Sequence, residues 1–428
     1  MLRSRLATFA SMTSMALLLT SCSAGGDTTA GTANGKVTLT IAWWGNPART
    51  KATNAAIALF RKKYPDIEVK VRPSAFPGYY DKLNTEFASG AAPDVFQDDQ
   101  VRTYAAKGLL LDLGPHKDIL RTGDLGQEFL AQGTIDGKLM DVPAGTSPMA
   151  LVYQPKLLQA GGMAAPAAQT SWPDFAAQAT RLAATLPKGT WALADSSAQH
   201  NHLQVYLRQK GKDWFTPDGA ALGFAKEDLV EWWTLWAGLR AKGVVPPPDV
   251  TSGSAGGDVS QDPVAAKKVA MSVYGTSVSL PREDWKYGPL PGEAARPGVH
   301  LMRSVSWAVN ARSKHPREAV RLMDFLLNDP AAGKALGLTR GVPPNSAIAA
   351  ALLPGLDPQD EQIAEYVGYL REPGHSGTAP APDPTGGKEI RSDLLTRHTQ
   401  DVWFGKKNAE QAAEAFFAEA AKVLGRAG

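Results

Sequence analysis

Three kinds of side chain early in the sequence have the chemistry to hold a small polar ligand. Trp44 offers a flat apolar indole face and one N–H donor, which suits stacking on an apolar ring face. Period-two alternation places Trp43 with Ile41 in a core and Trp44 on the opposite face, toward a ligand or in internal packing. Asp98 and Asp99 follow a short apolar segment, and the same alternation lets at most one of them face a site, with the other solvated.

Arg49 is placed where a cation is disfavoured. It falls in the first turn of a helix that Asn46 caps and Pro47 begins, where the helix dipole costs a positive charge about 0.3–1 kcal/mol. A partner must therefore hold the guanidinium. A carboxylate of the protein is one candidate, and a carboxylate or hydroxyl pair of a ligand is the other.

Several function classes are disfavoured by composition and motifs. The formal net charge is +3, so no strong basic field indicates nucleic-acid binding. His200 and His202 could suggest a metal pair, but no further ligand cluster accompanies them, and we expect neither metal nor cofactor. Common hydrolase and nucleotide motifs are absent, and adjacent Asp98 and Asp99 have the wrong geometry for a glycosidase, which needs carboxylates about 5–9.5 Å apart. A secreted glycoside hydrolase remains the main enzymatic alternative.

The elements that carry these residues follow an α/β pattern. Val37–Trp43 alternates as a strand, the helix after Asn46 follows, and Ile67–Val71 is a second strand, which together predict a right-handed βαβ unit with parallel strands. Repetition of this pattern predicts α/β architecture. Pro246–Asp262 and Glu372–Gly387 are rich in Pro and Gly and are predicted to be loops.

A hinge is predicted between Leu139 and Tyr153. Pro143, Gly145 and Pro148 interrupt this segment before the apolar residues that end at Tyr153. The pattern indicates a strand that leaves one lobe and enters another.

The N-terminus resembles a bacterial lipoprotein signal. Two arginines precede the uncharged run Leu6–Leu19, which is shorter than the roughly 20 residues of a membrane span, and Leu19-Thr20-Ser21-Cys22 resembles a lipobox. The resemblance implies a signal peptide over 1–21, lipidation of Cys22 and a flexible tether over 22–36. Cys22 is the only cysteine, so it cannot pair within the chain, although an ordinary secreted protein with an incidental cysteine is the alternative.

Much of the chain, from about Val37 to Leu338, resembles the family-1 extracellular solute-binding proteins of ATP-driven importers, the group that includes maltose-binding protein. The pieces that carry the resemblance are Leu39–Gly45, Phe60–Val71, Lys82–Asp99, Gly108–Leu113, Gly137–Tyr153 and Arg317–Asn328. The resemblance implies a two-lobed periplasmic-binding-protein-like fold of type II, with lobes formed by 37–144 plus 305–342 and by 145–304 plus 343–428. It further implies a monomeric, lipid-anchored extracytoplasmic receptor that has no enzymatic activity, binds a carbohydrate between its lobes and delivers it to an ABC permease.

The same resemblance implies which residues line the cleft. It favours Asp99 over its neighbour as the sugar-binding carboxylate, alongside Trp44 and Arg49. Further cleft positions match at Tyr79, Ser147, His200, Asn201, Tyr274, Trp307 and Arg340. The two tryptophans followed by Arg49 resemble the branch of the family that imports pectin-derived or other acidic oligosaccharides. A binder of peptides or polyols remains a further alternative.

Overall fold

Two β-sheets organise the part of the chain that the structure describes. The structure is a computed structural model, and it describes residues 36–255, 263–277, 285–381 and 383–426. The expected signal peptide, Cys22 and nearly all of the expected tether lie outside these ranges. Residues from Val37 onward form one compact unit. No helix in the described ranges has the length and apolar character of a membrane span.

The strands are β1 Val37–Trp44, β2 Ile67–Ser74, β3 Val95–Asp98, β4 Thr134–Ile135, β5 Lys138–Leu139, β6 Asp141–Thr146, β7 Met149–Tyr153, β8 Trp191–Leu193, β9 Val269–Gly275, β10 Lys286–Gly288 and β11 Arg303–Val309. The α-helices are α1 Pro47–Lys63, α2 Tyr79–Ser89, α3 Val101–Ala106, α4 Gln127–Gln132, α5 Pro155–Ala160, α6 Trp172–Ala183, α7 His200–Gln209, α8 Lys226–Ala241, α9 Pro248–Ala255, α10 Pro316–Asn328, α11 Pro330–Leu336, α12 Ser346–Leu352, α13 Pro358–Arg371, α14 Leu395–Trp403 and α15 Ala409–Gly425. A π-helix, Glu389–Leu394, leads directly into α14.

The first sheet has five strands in the order β2-β1-β3-β11-β6. β1 pairs in parallel with β2 and β3, as the βαβ pattern predicts, and the late strand β11 pairs antiparallel with β3 and β6. Leu39, Ile41 and Trp43 lie fully buried in one core below this sheet, so the predicted orientation of Trp43 is confirmed. The Asn46 side chain accepts a hydrogen bond from the Arg49 backbone N–H and caps α1, also as predicted.

The second sheet has four strands in the order β10-β7-β9-β8 and a separate core. Trp232, Trp233 and Trp236 of α8 are buried in that core against residues of α15 such as Phe416. Because each sheet buries its own apolar residues, the chain folds into two lobes. The mixed α/β, two-lobed fold class predicted from sequence is confirmed.

The chain passes from one sheet to the other within a few residues. β6 ends at Thr146 in the five-stranded sheet, and β7 begins at Met149 in the four-stranded sheet. The Ser147 N–H donates to the Met302 carbonyl, so the segment between β6 and β7 lies beside the residues that precede β11. The predicted change of sheet near Pro148 is confirmed.

The predicted loop from Pro246 to Asp262 is partly wrong, because Pro248–Ala255 forms α9. The Thr251 N–H donates to the Pro247 carbonyl and starts the helix. Proline is tolerated in a first helical turn, because its missing N–H would have no partner there. A high content of Pro and Gly is therefore not sufficient to predict a loop.

Candidate functional site

One edge of the five-stranded sheet gathers most of the polar and aromatic residues of interest. The parallel strands β1, β2 and β3 all end at this edge, at Trp44, Ser74 and Asp98. Ser306 pairs with Asp98 in antiparallel register, so the beginning of β11 lies at the same edge. Ligands of open α/β sheets bind outside the carboxyl ends of parallel strands, which makes this edge the candidate site.

An aromatic cluster of Trp44, Phe76, Tyr79 and Tyr80 covers the ends of β1 and β2. The Trp44 ring lies 5.7 Å from Phe76, 4.9 Å from Tyr79 and 5.6 Å from Tyr80, measured between ring centroids. Trp44 is only 7% exposed, which corrects the expectation that its indole faces an open cleft. Phe76 covers it and is 51% exposed, so the aromatic surface offered to solvent belongs to Phe76.

Tyr79, also expected to line the cleft, is a buried residue of this cluster. Its ring is 4% exposed, and its hydroxyl donates to the Gln97 carbonyl across 2.8 Å. Burial raises the pKa of the Tyr79 phenol well above its ordinary value. In this conformation Tyr79 supports the sheet edge and presents no polar atom to a ligand.

Asp99 is the exposed member of the aspartate pair. Its carboxylate accepts a hydrogen bond from the Tyr80 hydroxyl, and its backbone N–H donates to the same hydroxyl oxygen across 2.9 Å. Tyr80 thereby fixes the position of Asp99. Neither Tyr80 nor Phe76 was predicted as a site residue, although both lie in the short aromatic segment Phe76–Tyr80.

Asp98 is fully buried, so the expectation that the second aspartate is solvated is wrong. Alternation turns Asp98 inward, where Oδ1 accepts from the Gln100 N–H and Oδ2 has no partner. Burial, reinforced by the nearby charge of Asp141, raises the pKa of the Asp98 carboxyl to about 7. Two neighbouring buried carboxylates would suit acid–base chemistry, but both are inaccessible to a glycosidic bond here.

Arg303, at the beginning of β11, balances this buried acid cluster and was missed from sequence. Its guanidinium pairs with Asp141 at 2.9 Å and reaches the backbone carbonyl of Asp99 at 3.4 Å. Burial opposes the charged form of Arg303, but the charges of Asp141, Asp98 and Asp99 together raise its pKa above the ordinary value. No local signal identifies Arg303, because Asp141 and Asp99 approach it only through strand pairing.

Arg49 has partners that neither sequence hypothesis named. Its Nε donates to the Thr339 carbonyl at 2.9 Å, and Nη1 donates to the Trp44 carbonyl at 3.1 Å. Among the described residues, no carboxylate forms an ion pair with it, so the expected protein carboxylate is not found. Backbone carbonyls accept two hydrogen bonds from the guanidinium but leave its positive charge unneutralised.

Trp307 and Arg340 lie inside the protein, which corrects their expected place on the cleft surface. Trp307 is 1% exposed, Arg340 is 3% exposed, and the guanidinium carbon stands 4.6 Å from the indole centroid. Arg340 donates to the Gln97 side chain at 2.9 Å and to the Thr53 hydroxyl at 3.0 Å. These contacts attach the segment after α11 to the five-stranded sheet.

On the second lobe, Ser147 and Tyr274 flank the passage between sheets. The buried Ser147 hydroxyl accepts the Ser277 N–H at 2.8 Å, so Ser147 stabilises a turn rather than an open surface. Tyr274, in β9, is half-buried and pairs in register with Ala150 of β7.

His200 and Asn201 begin α7 and are half-buried. Burial, with a smaller contribution from Arg391, lowers the pKa of His200 to about 4 and keeps it neutral. His202 is enclosed by tryptophans, among them Trp172 at 5.4 Å. Within the described ranges, no group of three or more His, Cys, Asp or Glu side chains could hold a metal ion.

The π-helix Glu389–Leu394 is a further feature that was not predicted from the sequence. It presents Arg391, which forms an ion pair with Asp383 and influences His200. Burial raises the pKa of Asp383, and Arg391 followed more weakly by Arg303 opposes the shift. π-Helical turns often occur at functional sites but have no simple sequence signature.

An open groove of about 660 Å³ borders the aromatic cluster at the ends of β1 and β2. Gly45 and Ser74 form its floor, and Thr50, Lys51 and Asn54 of α1 line one side. Hydroxyl, amide and ammonium groups therefore line this groove at the ends of β1 and β2. The arrangement can bind a polar ligand with apolar faces.

The fold and site define a solute-binding protein of the two-lobed type. Residues 55–366 match the family model described as bacterial extracellular solute-binding protein, and the chain belongs to this family. The family's activity is binding rather than catalysis, and its members act outside the cytoplasm.

Solved structures show the same fold. The chain shares 30% identity with an extracellular solute-binding protein family 1 member from Alicyclobacillus acidocaldarius, covering 92% of this chain and 100% of that one, with a TM-score of 0.75. A periplasmic oligogalacturonide binding protein from Yersinia enterocolitica, in complex with saturated digalacturonic acid, is 23% identical over 92% and 100% of the chains, with a TM-score of 0.75. An ABC substrate-binding protein from Listeria monocytogenes, in complex with cycloalternan, is 20% identical over 91% and 99%, with a TM-score of 0.72.

Proposed function

We propose that this protein is a receptor for an extracellular carbohydrate. The observation that carries the proposal is that Tyr80 connects the exposed Phe76 ring with the Asp99 carboxylate: its ring centroid lies 6.4 Å from that of Phe76, and its hydroxyl donates to Asp99. An aromatic face packs against the C–H face of a pyranose, and a fixed carboxylate accepts hydrogen bonds from its hydroxyls. Two structures of this fold are named for sugar ligands, which supports the same class of ligand.

A binding screen tests the ligand class. The fragment from Lys36 onward would be titrated by calorimetry with neutral oligosaccharides, uronate-bearing oligosaccharides, short peptides and polyols. We expect one set of sugars to give a measurable heat of binding and to raise the melting temperature of the protein. Binding of peptides or polyols alone would refute a carbohydrate receptor and favour the corresponding alternative.

Phe76→Ala identifies the site. Phe76 is half exposed, so its loss should weaken sugar binding about 10-fold or more while changing the free energy of unfolding by less than about 1 kcal/mol. Leu353→Ala, which removes another exposed apolar side chain far along the sequence, is the matched control and should bind normally. Equal affinity of the Phe76 variant and the wild-type protein would place the ligand elsewhere.

Within this proposal, we infer that the sugar carries a carboxylate. In the described part of the chain, only the Thr339 and Trp44 carbonyls meet the charge of half-buried Arg49, so a ligand anion would gain from its field. Arg49→Gln should reduce affinity for a uronate-bearing oligosaccharide more than for its neutral counterpart. Tighter binding of neutral sugars by the wild-type protein would exclude the acidic ligand without excluding a sugar.

Capture follows from the two lobes, which we propose to be 37–144 with 305–342 and 145–304 with 343–428, except that the last two residues of β6 and the first two of β11 belong to the sheet of the first lobe. A ligand that contacts both lobes favours a closed form, and the closed form delivers it to an ABC permease. The energy for import would come from a separate ATPase. Size-exclusion chromatography coupled to light scattering should show a monomer with and without sugar.

We also propose that Cys22 carries the lipid that anchors the receptor to the cell membrane. Its position after Leu19-Thr20-Ser21 supports the assignment. Cys22→Ala should move the exported protein from the membrane fraction to the soluble extracytoplasmic fraction. Membrane association that survives this substitution would contradict the anchor and leave the sugar-binding proposal intact.

A further inference from the structure

A second open pocket lies at the β10 edge of the four-stranded sheet. It has a volume of about 460 Å³ and lies between β10, α13 and the segment 166–169. It shares no described residue with the candidate sugar site, and none of its described lining residues belongs to the five-stranded sheet. Pockets of this size accommodate small organic ligands.

Three tyrosine residues line this pocket. Tyr287 lies in β10, and Tyr366 and Tyr369 lie one turn apart on α13 with ring planes inclined by 20°. The Tyr287 hydroxyl accepts from the Gln359 side chain at 3.0 Å, and the Tyr366 hydroxyl donates to the Met149 carbonyl at 2.8 Å. Because both hydroxyls are engaged within the protein, these two side chains offer a ligand their rings.

The Tyr369 ring is held in place by the segment that follows α13. It stacks on His375 with 4.1 Å between the ring centroids and 19° between the ring planes. The His375 Nδ1 atom lies 3.0 Å from the Tyr369 carbonyl oxygen, which ties the same two residues together a second time. A ring that is fixed in advance loses little conformational entropy when a ligand packs against it.

The pocket carries negative charge and hydrogen-bond acceptors. Glu365 is an exposed lining residue, and no described residue forms an ion pair with its carboxylate. The described lining residues include no Lys, Arg or His, and Pro166 and Pro289 have no backbone N–H to donate. The Gln362 amide donates to the Pro358 carbonyl at 3.0 Å, which leaves the Gln362 side-chain oxygen as an acceptor.

We propose that this pocket binds an organic ammonium ion, a positively charged nitrogen carried on a short apolar group. The electron-rich faces of aromatic rings attract cations, and ammonium groups are recognised by aromatic side chains in this way. The Glu365 carboxylate adds a direct charge interaction, and Ala167 and Ala168 offer apolar contacts to the stem. A neutral sugar could pack against the rings but would leave the charge of Glu365 unused.

Such a cation has two sources, a free alkylammonium solute or a lysine side chain of a partner protein. Choline represents the first source and is compared with dimethylbutanol, its uncharged isostere. Acetyl-lysine amide represents the second source and is compared with acetyl-norleucine amide. The ammonium probe that binds more tightly identifies the source.

Ligand-observed NMR titrations of the full chain, at constant ionic strength and without sugar, test the proposal. We expect at least one ammonium probe to bind about fivefold or more tightly than its uncharged counterpart. Equal affinity within both pairs, or no binding of either ammonium probe, would overturn the proposal.

Glu365→Gln keeps the size of the side chain and removes its charge, so ammonium affinity should fall about fivefold or more. Glu361→Gln removes an exposed carboxylate from the same helix outside the pocket and is the matched control, whose affinity should stay within about twofold of wild type. Unchanged ammonium affinity of the Glu365 variant would refute the site. Sugar affinity should be the same in both variants, so this test is independent of the carbohydrate proposal.

Tyr369→Leu removes the ring and keeps an apolar side chain. It should weaken binding of the ammonium probe more than binding of the uncharged counterpart, because only the cation gains from the ring face. Equal weakening of both probes would show apolar contact alone and would contradict the assignment.

Discussion

The hydroxyl of Tyr80 donates to the Asp99 carboxylate and accepts from the Asp99 backbone N–H at 2.9 Å. One side chain therefore fixes both the backbone and the carboxylate of the exposed aspartate. Binding sites gain affinity when their polar groups are held in place before the ligand arrives, because less conformational entropy is lost on binding.

Tyr80→Phe should therefore weaken sugar binding although its ring remains. A hydrogen bond to a charged group contributes about 1.5–3 kcal/mol, so the dissociation constant should rise roughly 10-fold or more. Calorimetry on Tyr80→Phe, Asp99→Asn and the double variant would measure the coupling. Fully additive losses would show that Tyr80 and Asp99 act independently.

Trp44 should behave as a core residue. It is 7% exposed and packed against three other aromatic rings, so Trp44→Ala should lower the free energy of unfolding by about 3 kcal/mol or more. Trp44→Phe retains part of the packing, so its free energy of unfolding should fall by less. A stable Trp44→Ala protein that has lost sugar affinity would instead place the indole in direct contact with the ligand.

The buried carboxyl of Asp98 should make stability depend on pH. Its pKa is raised to about 7, against about 3.9 in an unfolded chain, so the folded state binds the additional proton between these values. The contribution of Asp98 to stability is therefore present below about pH 4 and is lost as pH rises through about 7.

Asp98→Asn removes this titration. The Asn oxygen can still accept from the Gln100 N–H, so the variant should gain stability relative to wild type from pH 5 to pH 8, on the order of 2 kcal/mol. Chemical denaturation at several pH values would measure the difference. A difference that does not vary with pH would show that Asp98 is ionised throughout.

Gly145 is required by a close approach between the end of β6 and the segment after α11. A Cβ atom there would lie 1.9 Å from the Arg340 carbonyl oxygen, whereas one on Gly123 would meet nothing within 4 Å. Gly145→Ala should lower the free energy of unfolding by about 2 kcal/mol or more, and Gly123→Ala by less than about 1 kcal/mol. Similar melting temperatures for the two variants would show that the segment around Gly145 yields readily.

Local signals predicted the elements near the site well. The helix boundary at Asn46 and Pro47 was predictable because capping depends on residues within one turn. Alternation correctly placed Trp43 inside, since strand geometry fixes opposite faces. The same rule predicted that Asp98 and Asp99 point in opposite directions. It did not predict that Asp98 is buried, because burial depends on strands from distant parts of the chain.

By itself, the sequence determined the α/β architecture, the change of sheet near Pro148 and the membership of a solute-binding family, because these depend on periodicity and on extended similarity. Tertiary structure alone decided that Phe76 packs against Trp44, that Tyr80 holds Asp99, and that Arg340 lies buried with no carboxylate paired to it among the residues that the structure describes. These relationships join residues that the fold brings together from separate loops and strands. Side-chain exposure and charge pairing are properties of that packing, and no local pattern encodes them.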